Sequence, residues 1–190
     1  MSIEILQGNL FDKKSDALIL TLDGARAGLE GNITRAFARA YPDAWEELEY
    51  MIQYPIQLGT SKMYPIASDI DCPFRYAIFA STLHHVESLT DQQKLEVMKA
   101  ALSSSLSLAM SKLLGSISCG LMTGGWRISH EQALMAMIDT YECCVKGRES
   151  KPRLQIYVLG EKEFMTIGDF LSSHYPQAIA SNSGYLININ

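Results

Sequence analysis

Two glycine-punctuated stretches carry the residue types most able to do chemistry. The first holds Gly24, Gly28 and Gly31 and follows the apolar run Asp16-Ala-Leu-Ile-Leu-Thr-Leu22. The second is Thr123-Gly124-Gly125-Trp126-Arg127 and follows Ser116-Ile-Ser-Cys-Gly-Leu-Met122. Each stretch lies between a strand-like run and a helix start. Main-chain N–H groups at a helix start have no partner within the helix. Their partial positive charge favours an anion, and glycine lets a phosphate come close to the chain. Two such loops together suit a diphosphate, whereas either loop alone is also what an ordinary turn looks like. Asp23, at the end of the first apolar run, adds a carboxylate, which by itself reads as a solvated turn residue. Trp126 reads either as an aromatic wall for a base or ribose or as an anchor for its own loop. Phe11 carries the same ambiguity.

The histidines and cysteines point to less. His84-His85 follows a strand-like run and reads as a polar loop pair more readily than as a proton-transfer group. His130, just inside a helix start, reads as structural. Cys72, Cys119, Cys143 and Cys144 show no zinc-ligand spacing, so no metal site and no cofactor are expected. They read as free thiols in a reducing compartment.

The elements that would position these residues alternate. Strand-like runs cover 3–6, 16–22, 75–81, 116–122 and 154–159, and 56–66 reads as extended with a break at Gly59. Helical spacing covers 32–41, with Asn32 as the expected N-cap, and then 43–53 after Pro42. A long helix opens at Thr90-x-x-Gln93, a capping-box pattern, and runs to about Leu113. Ser129-x-x-Gln132 opens another helix in the same way, and a last one spans Glu161 to about His174. This alternation predicts an α/β domain with a mixed or mostly parallel central sheet and helices on both faces. Open sheets of that kind bind ligands outside the carboxyl ends of their strands, where both glycine stretches fall. The expected domain spans residues 1–175, and 176–190 form a C-terminal tail. Within that tail Tyr185-Leu-Ile-Asn-Ile could add an edge strand, pack on a partner or stay loosely ordered.

A chain of 190 residues fits one domain with a full core. A net charge of −5 with no basic cluster argues against general nucleic-acid binding, which needs a cationic footprint. It leaves room for a small phosphorylated ligand held by backbone amides. No apolar run reaches the roughly 20 residues that cross a bilayer. The first residues lack a secretory pattern, so a cytoplasmic location is expected.

Four segments resemble the macrodomain family, and the resemblance covers roughly residues 2–160. Gly8-Asn9-Leu10-Phe11 with Asp16-Ala17-Leu18-Ile19 looks like the family's opening. Gly28-Leu-Glu-Gly31-Asn-Ile33 looks like its first phosphate loop. Phe37-Ala-Arg-Ala-Tyr41-Pro42 and Leu121-Met-Thr-Gly124-Gly125-Trp-Arg127 resemble the branch of terminal ADP-ribose glycohydrolases and DNA-ADP-ribose antitoxins. The resemblance implies a three-layer α/β/α macrodomain-like fold around a central mixed sheet. It implies ADP-ribose, a related adenine nucleotide or an ADP-ribosylated macromolecule as partner. It also implies roles. Asn9 stands where an aspartate usually accepts from the adenine amino group, and Leu10 packs near the base. Asp23 stands where an asparagine often meets the distal ribose. Gly31, Asn32 and Ile33 line the first phosphate loop; Thr123, Gly124, Gly125, Trp126 and Arg127 line the second.

The departures concern catalysis. The stretch 38–40 is Ala-Arg-Ala, without the lysine nucleophile of the hydrolase branch, and Arg39 is a poor nucleophile. Trp126 takes the place of that branch's second-loop aspartate. Leu20-Thr21-Leu22-Asp23 replaces the Asn-Ala-Ala-Asn of other hydrolases. Three functions stay open: a module that binds ADP-ribose or a relative, a hydrolase of an ADP-ribosyl bond using Asp23, and an interaction protein in which Leu20, Leu22 and Trp126 fill the old cleft.

Overall fold

The apolar run after Ser15 forms the heart of a sheet, and its side chains alternate between two cores. Ala17 and Ile19 enter one core, and Leu18, Leu20 and Leu22 enter the other. Both faces are covered, so every second-face position is apolar too. The computed structural model describes residues 2–28, 31–123, 128–181 and 183–189.

Among the described residues eight strands form one sheet: β1 (Ser2–Gln7), β2 (Ser15–Asp23), β3 (Ser61–Pro65), β4 (Phe74–Leu83), β5 (Ser116–Gly120), β6 (Arg153–Val158), β7 (Ile179–Ser181) and β8 (Gly184–Asn188). Their order is β3-β4-β2-β5-β6-β1-β8-β7. The five strands from β4 to β1 are mutually parallel. β3 pairs antiparallel with β4, and β8 and β7 add antiparallel at the other edge. Helices α1 (Asn32–Ala40) and α2 (Pro42–Met51) cover one face through Phe37, Ala44 and Leu48. Helices α3 (Asp91–Ser111), α4 (His130–Val145) and α5 (Glu161–His174) cover the other through Leu102, Met137 and Ile167. The three-layer α/β/α arrangement with a mixed sheet matches the sequence expectation.

Local signals act as read in most places. Thr90 and Gln93 form the reciprocal capping box of α3, and the Ser129 hydroxyl accepts from the Gln132 N–H at α4. Asn32 is not the cap of α1. Gly31 holds the N-cap position, with no side-chain cap bond, and the Asn32 side-chain oxygen accepts from the Arg35 guanidinium instead. The reason is steric. A β-carbon on Gly31 would sit 2.7 Å from the Thr21 carbonyl oxygen of β2, so only glycine fits where the chain turns into the helix. The stretch expected to be extended over 56–66 pairs as a strand only from Ser61, because a turn at Gln57–Thr60 with Gly59 at φ +77° precedes it.

The amino ends of three strands meet on one carboxylate. Asp16 accepts from the Gly115 and Ser116 N–H groups at 2.6 and 3.0 Å and from Arg75 at 2.6 Å. Burial alone would raise its pKa. The Gly115 N–H, the Arg75 guanidinium and the Ser116 N–H outweigh that and hold it below the usual carboxylate value. Asp16 thus ties β2 to β4 and β5 at the edge remote from the glycine stretches.

Candidate functional site

The carboxyl ends of β2 and β5, adjacent and parallel, carry the two glycine stretches. At β2 the Thr34 hydroxyl of α1 donates to the Thr21 carbonyl at 3.1 Å, and Gly31 lies against the same oxygen. These contacts press the start of α1 onto the strand end. At β5 the last residue is Gly120, where an added β-carbon would lie 3.0 Å from Cδ1 of Ile33. The first turn of α1 therefore touches the point where the second stretch begins. Two close approaches, of which the one at Gly31 requires glycine, bring Gly31, Asn32 and Ile33 next to the strand that leads to Thr123.

The described residues that flank the second stretch are held by main-chain bonds. The Leu121 N–H donates to the Tyr157 carbonyl, and the Ile128 N–H donates to the Thr123 carbonyl at 3.3 Å. Of the residues expected there, Thr123 is half-buried. Gly124, Gly125, Trp126 and Arg127 lie outside the described residues.

At the end of β1 a turn of 3-10 helix spans Leu10–Asp12. Asn9 is exposed and caps it: its side-chain oxygen accepts from the Phe11 N–H at 3.2 Å, and its amide donates to Asp12 at 2.9 Å. That oxygen retains a second lone pair. Leu10 is buried in the core under α1 and α2. Phe11 is an anchor rather than a free wall, because its ring meets Phe37 and Tyr41 edge-on at 6.2 and 6.1 Å. The Tyr41 hydroxyl donates to the Phe11 carbonyl at 3.0 Å. Burial, with Cys72, Asp12 and Asp71 nearby, pushes that phenol's pKa up, which keeps it a donor. On the other flank of β1, a cavity of about 470 Å³ opens among Gln7, Gly8, Leu159, Phe164, Ser181 and Tyr185.

Asp23 closes β2 beside the first glycine stretch. A register shift between Leu22 and Asp23 breaks the ladder with β4 there, the kind of irregularity that re-aims a side chain. Asp23 is 6 % exposed. One carboxylate oxygen accepts from the Ala25 N–H at 2.9 Å. The other accepts from the His85 N–H at 2.8 Å and lies 3.0 Å from Nδ1 of His85. The sequence reading set His84-His85 aside as a polar pair and missed this partnership. Asp23 and His85 are 62 residues apart; only the pairing of β2 with β4 joins them, and no local pattern announces it. Gly120 was likewise absorbed into its strand, although a glycine closing an apolar run signals a close backbone approach.

Leu22 is the last residue before Asp23 in β2, and its Cα lies 3.9 Å from where a β-carbon on Gly31 would stand. Leu20 and Leu22 are both buried in the core beneath α1 and α2, alongside Phe37 and Leu48. Among the described residues no cluster of histidine, cysteine or carboxylate side chains could hold a metal ion. No described helix is long and apolar enough to cross a membrane.

No protein-family model and no curated protein matches the chain. Solved structures do. The macrodomain of Mycobacterium tuberculosis DarG is similar at 16 % identity and a TM-score of 0.62, over 83 % of this chain and 98 % of that one. The Oceanobacillus iheyensis macrodomain with ADP is similar at 17 % identity and a TM-score of 0.69, over 90 % of each chain. A Trypanosoma brucei macrodomain in complex with ADP-ribose is similar at 17 % identity and 0.70, over 88 % of this chain and 68 % of that one. At such identities the likeness is one of fold: the chain has the macrodomain fold, as its four sequence segments suggested.

Proposed function

We propose that the chain binds ADP-ribose or a closely related adenine nucleotide across the carboxyl ends of β1, β2 and β5. The N–H groups of Gly31, Asn32 and Ile33 take one phosphate. Thr123, Gly124, Gly125, Trp126 and Arg127 face the other, an assignment that rests on the sequence. Asn9 and Leu10 meet the adenine end, and Asp23 lies toward the distal ribose. The ligand is free or is carried on a modified macromolecule.

The contact between Ile33 and Gly120 supports this reading most. It sets the start of α1 against the end of β5, the strand from which the second stretch follows, as a shared diphosphate would require. A helix start without a side-chain cap leaves its N–H groups to a ligand or water. Backbone donors also make the reading independent of the missing catalytic side chains. Two of the similar structures were obtained with ADP or ADP-ribose, which favours the same ligand class here.

Calorimetry with ADP-ribose, ADP and NAD tests the proposal. The expected result is saturable heat with ADP-ribose and weaker heat with ADP. Silence from all three at millimolar ligand would remove the nucleotide assignment.

A further inference from the structure

We propose that His85 is a catalytic base acting at the distal-ribose end of this cleft, with Asp23 as its positioning residue. The proposal rests on the nucleotide reading above.

The geometry selects one histidine of an adjacent pair. The His84 ring is 13 % exposed; its Nε2 lies 2.9 Å from the Ile56 carbonyl and its Nδ1 lies 3.3 Å from Glu87. Both of its nitrogens are occupied by the protein. His85 is 44 % exposed, and its Nδ1 faces the carboxylate of Asp23, itself 6 % exposed. A carboxylate only accepts, so Nδ1 carries the proton and Nε2 carries the lone pair. The carboxylate is in turn fixed by the Ala25 and His85 backbone N–H groups. A buried acceptor held by two main-chain donors thus orients a half-exposed imidazole. That is the arrangement a general base needs.

The position suits the role. Asp23 directly precedes Gly24 and lies two residues after Thr21, whose carbonyl accepts from the Thr34 hydroxyl of α1 and lies against Gly31, so the pair stands at the start of the first glycine stretch. Beneath Gly24 the Ser81 hydroxyl is buried without a hydrogen-bond partner among the described residues. Asp23 is too enclosed, and too fully engaged, to take a proton from water itself. The half-exposed ring is the part of the pair that can.

The reaction is hydrolysis at the anomeric carbon of the distal ribose. Water attacks that carbon, and its oxygen forms the new C–O bond. The bond from the carbon to the attached group breaks, and its electron pair leaves with that group. Nε2 of His85 takes one proton from the water and later returns it to solvent or to the departing group. An ADP-ribosyl conjugate and water give ADP-ribose and the protonated or anionic leaving group. No further reactant is needed.

The test uses the full chain and three peptides, ADP-ribosylated on glutamate, serine or arginine. Released ADP-ribose is measured by mass spectrometry, and ADP-ribose affinity is measured on the same samples by calorimetry. The wild type is expected to release ADP-ribose from at least one peptide. His85→Gln is expected to lower kcat by about 10²-fold or more, as loss of a general base does, while its affinity for ADP-ribose stays close to that of the wild type. Asp23→Asn is expected to lower kcat far more than it changes KM, because the amide oxygen can still accept from the ribose but no longer fixes the ring as the carboxylate does. A purely structural Asp23 would instead change melting temperature, KM and affinity together. A wild type that binds ADP-ribose but acts on none of the peptides overturns the base and leaves the nucleotide reading intact. So does a His85→Gln variant as active as the wild type. Absence of ADP-ribose binding fails both.

Discussion

Gly31→Ala is the most direct probe of the join between fold and proposed site. Gly31 has φ −65° and ψ 171°, a backbone that any residue adopts, so conformational strain contributes nothing. The effect is steric. The new methyl would stand 2.7 Å from the Thr21 carbonyl oxygen. Carbon and oxygen settle at about 3.3 Å or more, so the start of α1 must lift by roughly 0.6 Å. That oxygen already accepts from Thr34 at 3.1 Å, and the lift stretches this bond too. Overpacking costs about 1–3 kcal/mol. The lower entropy of an alanine-containing unfolded chain offsets about 0.4–1 kcal/mol of it. A net loss of about 1–2 kcal/mol corresponds to a fall in Tm of roughly 2–8 °C for a chain of this size. The lift also carries the N–H groups of Asn32 and Ile33 off the β5 end. We expect ADP-ribose affinity to fall about ten-fold, the equivalent of about 1.4 kcal/mol. Thermal and urea unfolding give the first quantity, and calorimetry gives the second. Gly28→Ala serves as a comparison, because its added β-carbon meets nothing within 4 Å and its cost comes from a φ of +81°. If Gly31→Ala loses stability yet binds ADP-ribose as tightly as the wild type, the helix start is not the anion site. If it loses neither, the steric reasoning is wrong as well.

Other substitutions test the remaining links. Asp16→Asn should cost about 2 kcal/mol in urea unfolding, since a charged acceptor of two backbone N–H groups is replaced by an amide. The folded pKa of Asp16 is lowered, so its stabilisation is present above the unfolded value of about 3.9 and is lost as pH falls through the folded value; the gap between wild type and Asp16→Asn should close in acid. Leu20→Ala should cost about 2–5 kcal/mol, as for any fully buried leucine, with no gain in ADP-ribose affinity; tighter binding would mean that Leu20 fills the cleft. Gly184→Ala should free β8 from β1, because an added β-carbon meets the Ile5 carbonyl and φ is +155°, and hydrogen exchange at 184–188 should accelerate.

The layers of the fold were legible because they rest on periodicity. The unbroken apolar run of β2 and the stripes of α3 and α4 each record which faces are covered, and that information is local. The strand order was beyond reach of such patterns, since the chain places β5 between β2 and β6 through contacts about 100 residues apart, such as Asp16 with Gly115. The same distance hid the Asp23–His85 pair. The cap of α1 was misread by one residue for a related reason. Asn32 has the better capping side chain, but the approach of Thr21 from another strand decides in favour of glycine. Propensity lost to a tertiary contact. The residues past Pro176 carried only weak alternation, and their strands exist because β1 offers an edge to pair with.

The two ends of the sheet are built by different means. Away from the glycine stretches, side chains knit strands together: Asp16 joins β2 to β4 and β5, and Glu4 holds Arg153 and Gln155 of β6, with Ser118 of β5 donating to Gln155. At the carboxyl edge the Asp23–His85 pair joins β2 to the end of β4, and the seat of α1 is made by Gly31 and the Thr21 carbonyl. A site whose donors are N–H groups is aimed by where α1 starts, and that start is set by Gly31 against the Thr21 carbonyl. Side-chain chemistry around it is then free to change. Under the two proposals, binding depends on the seat of α1 and hydrolysis also on the partnership of Asp23 with His85, so Gly31 variants should lose ADP-ribose affinity, whereas His85 variants should keep it and lose turnover.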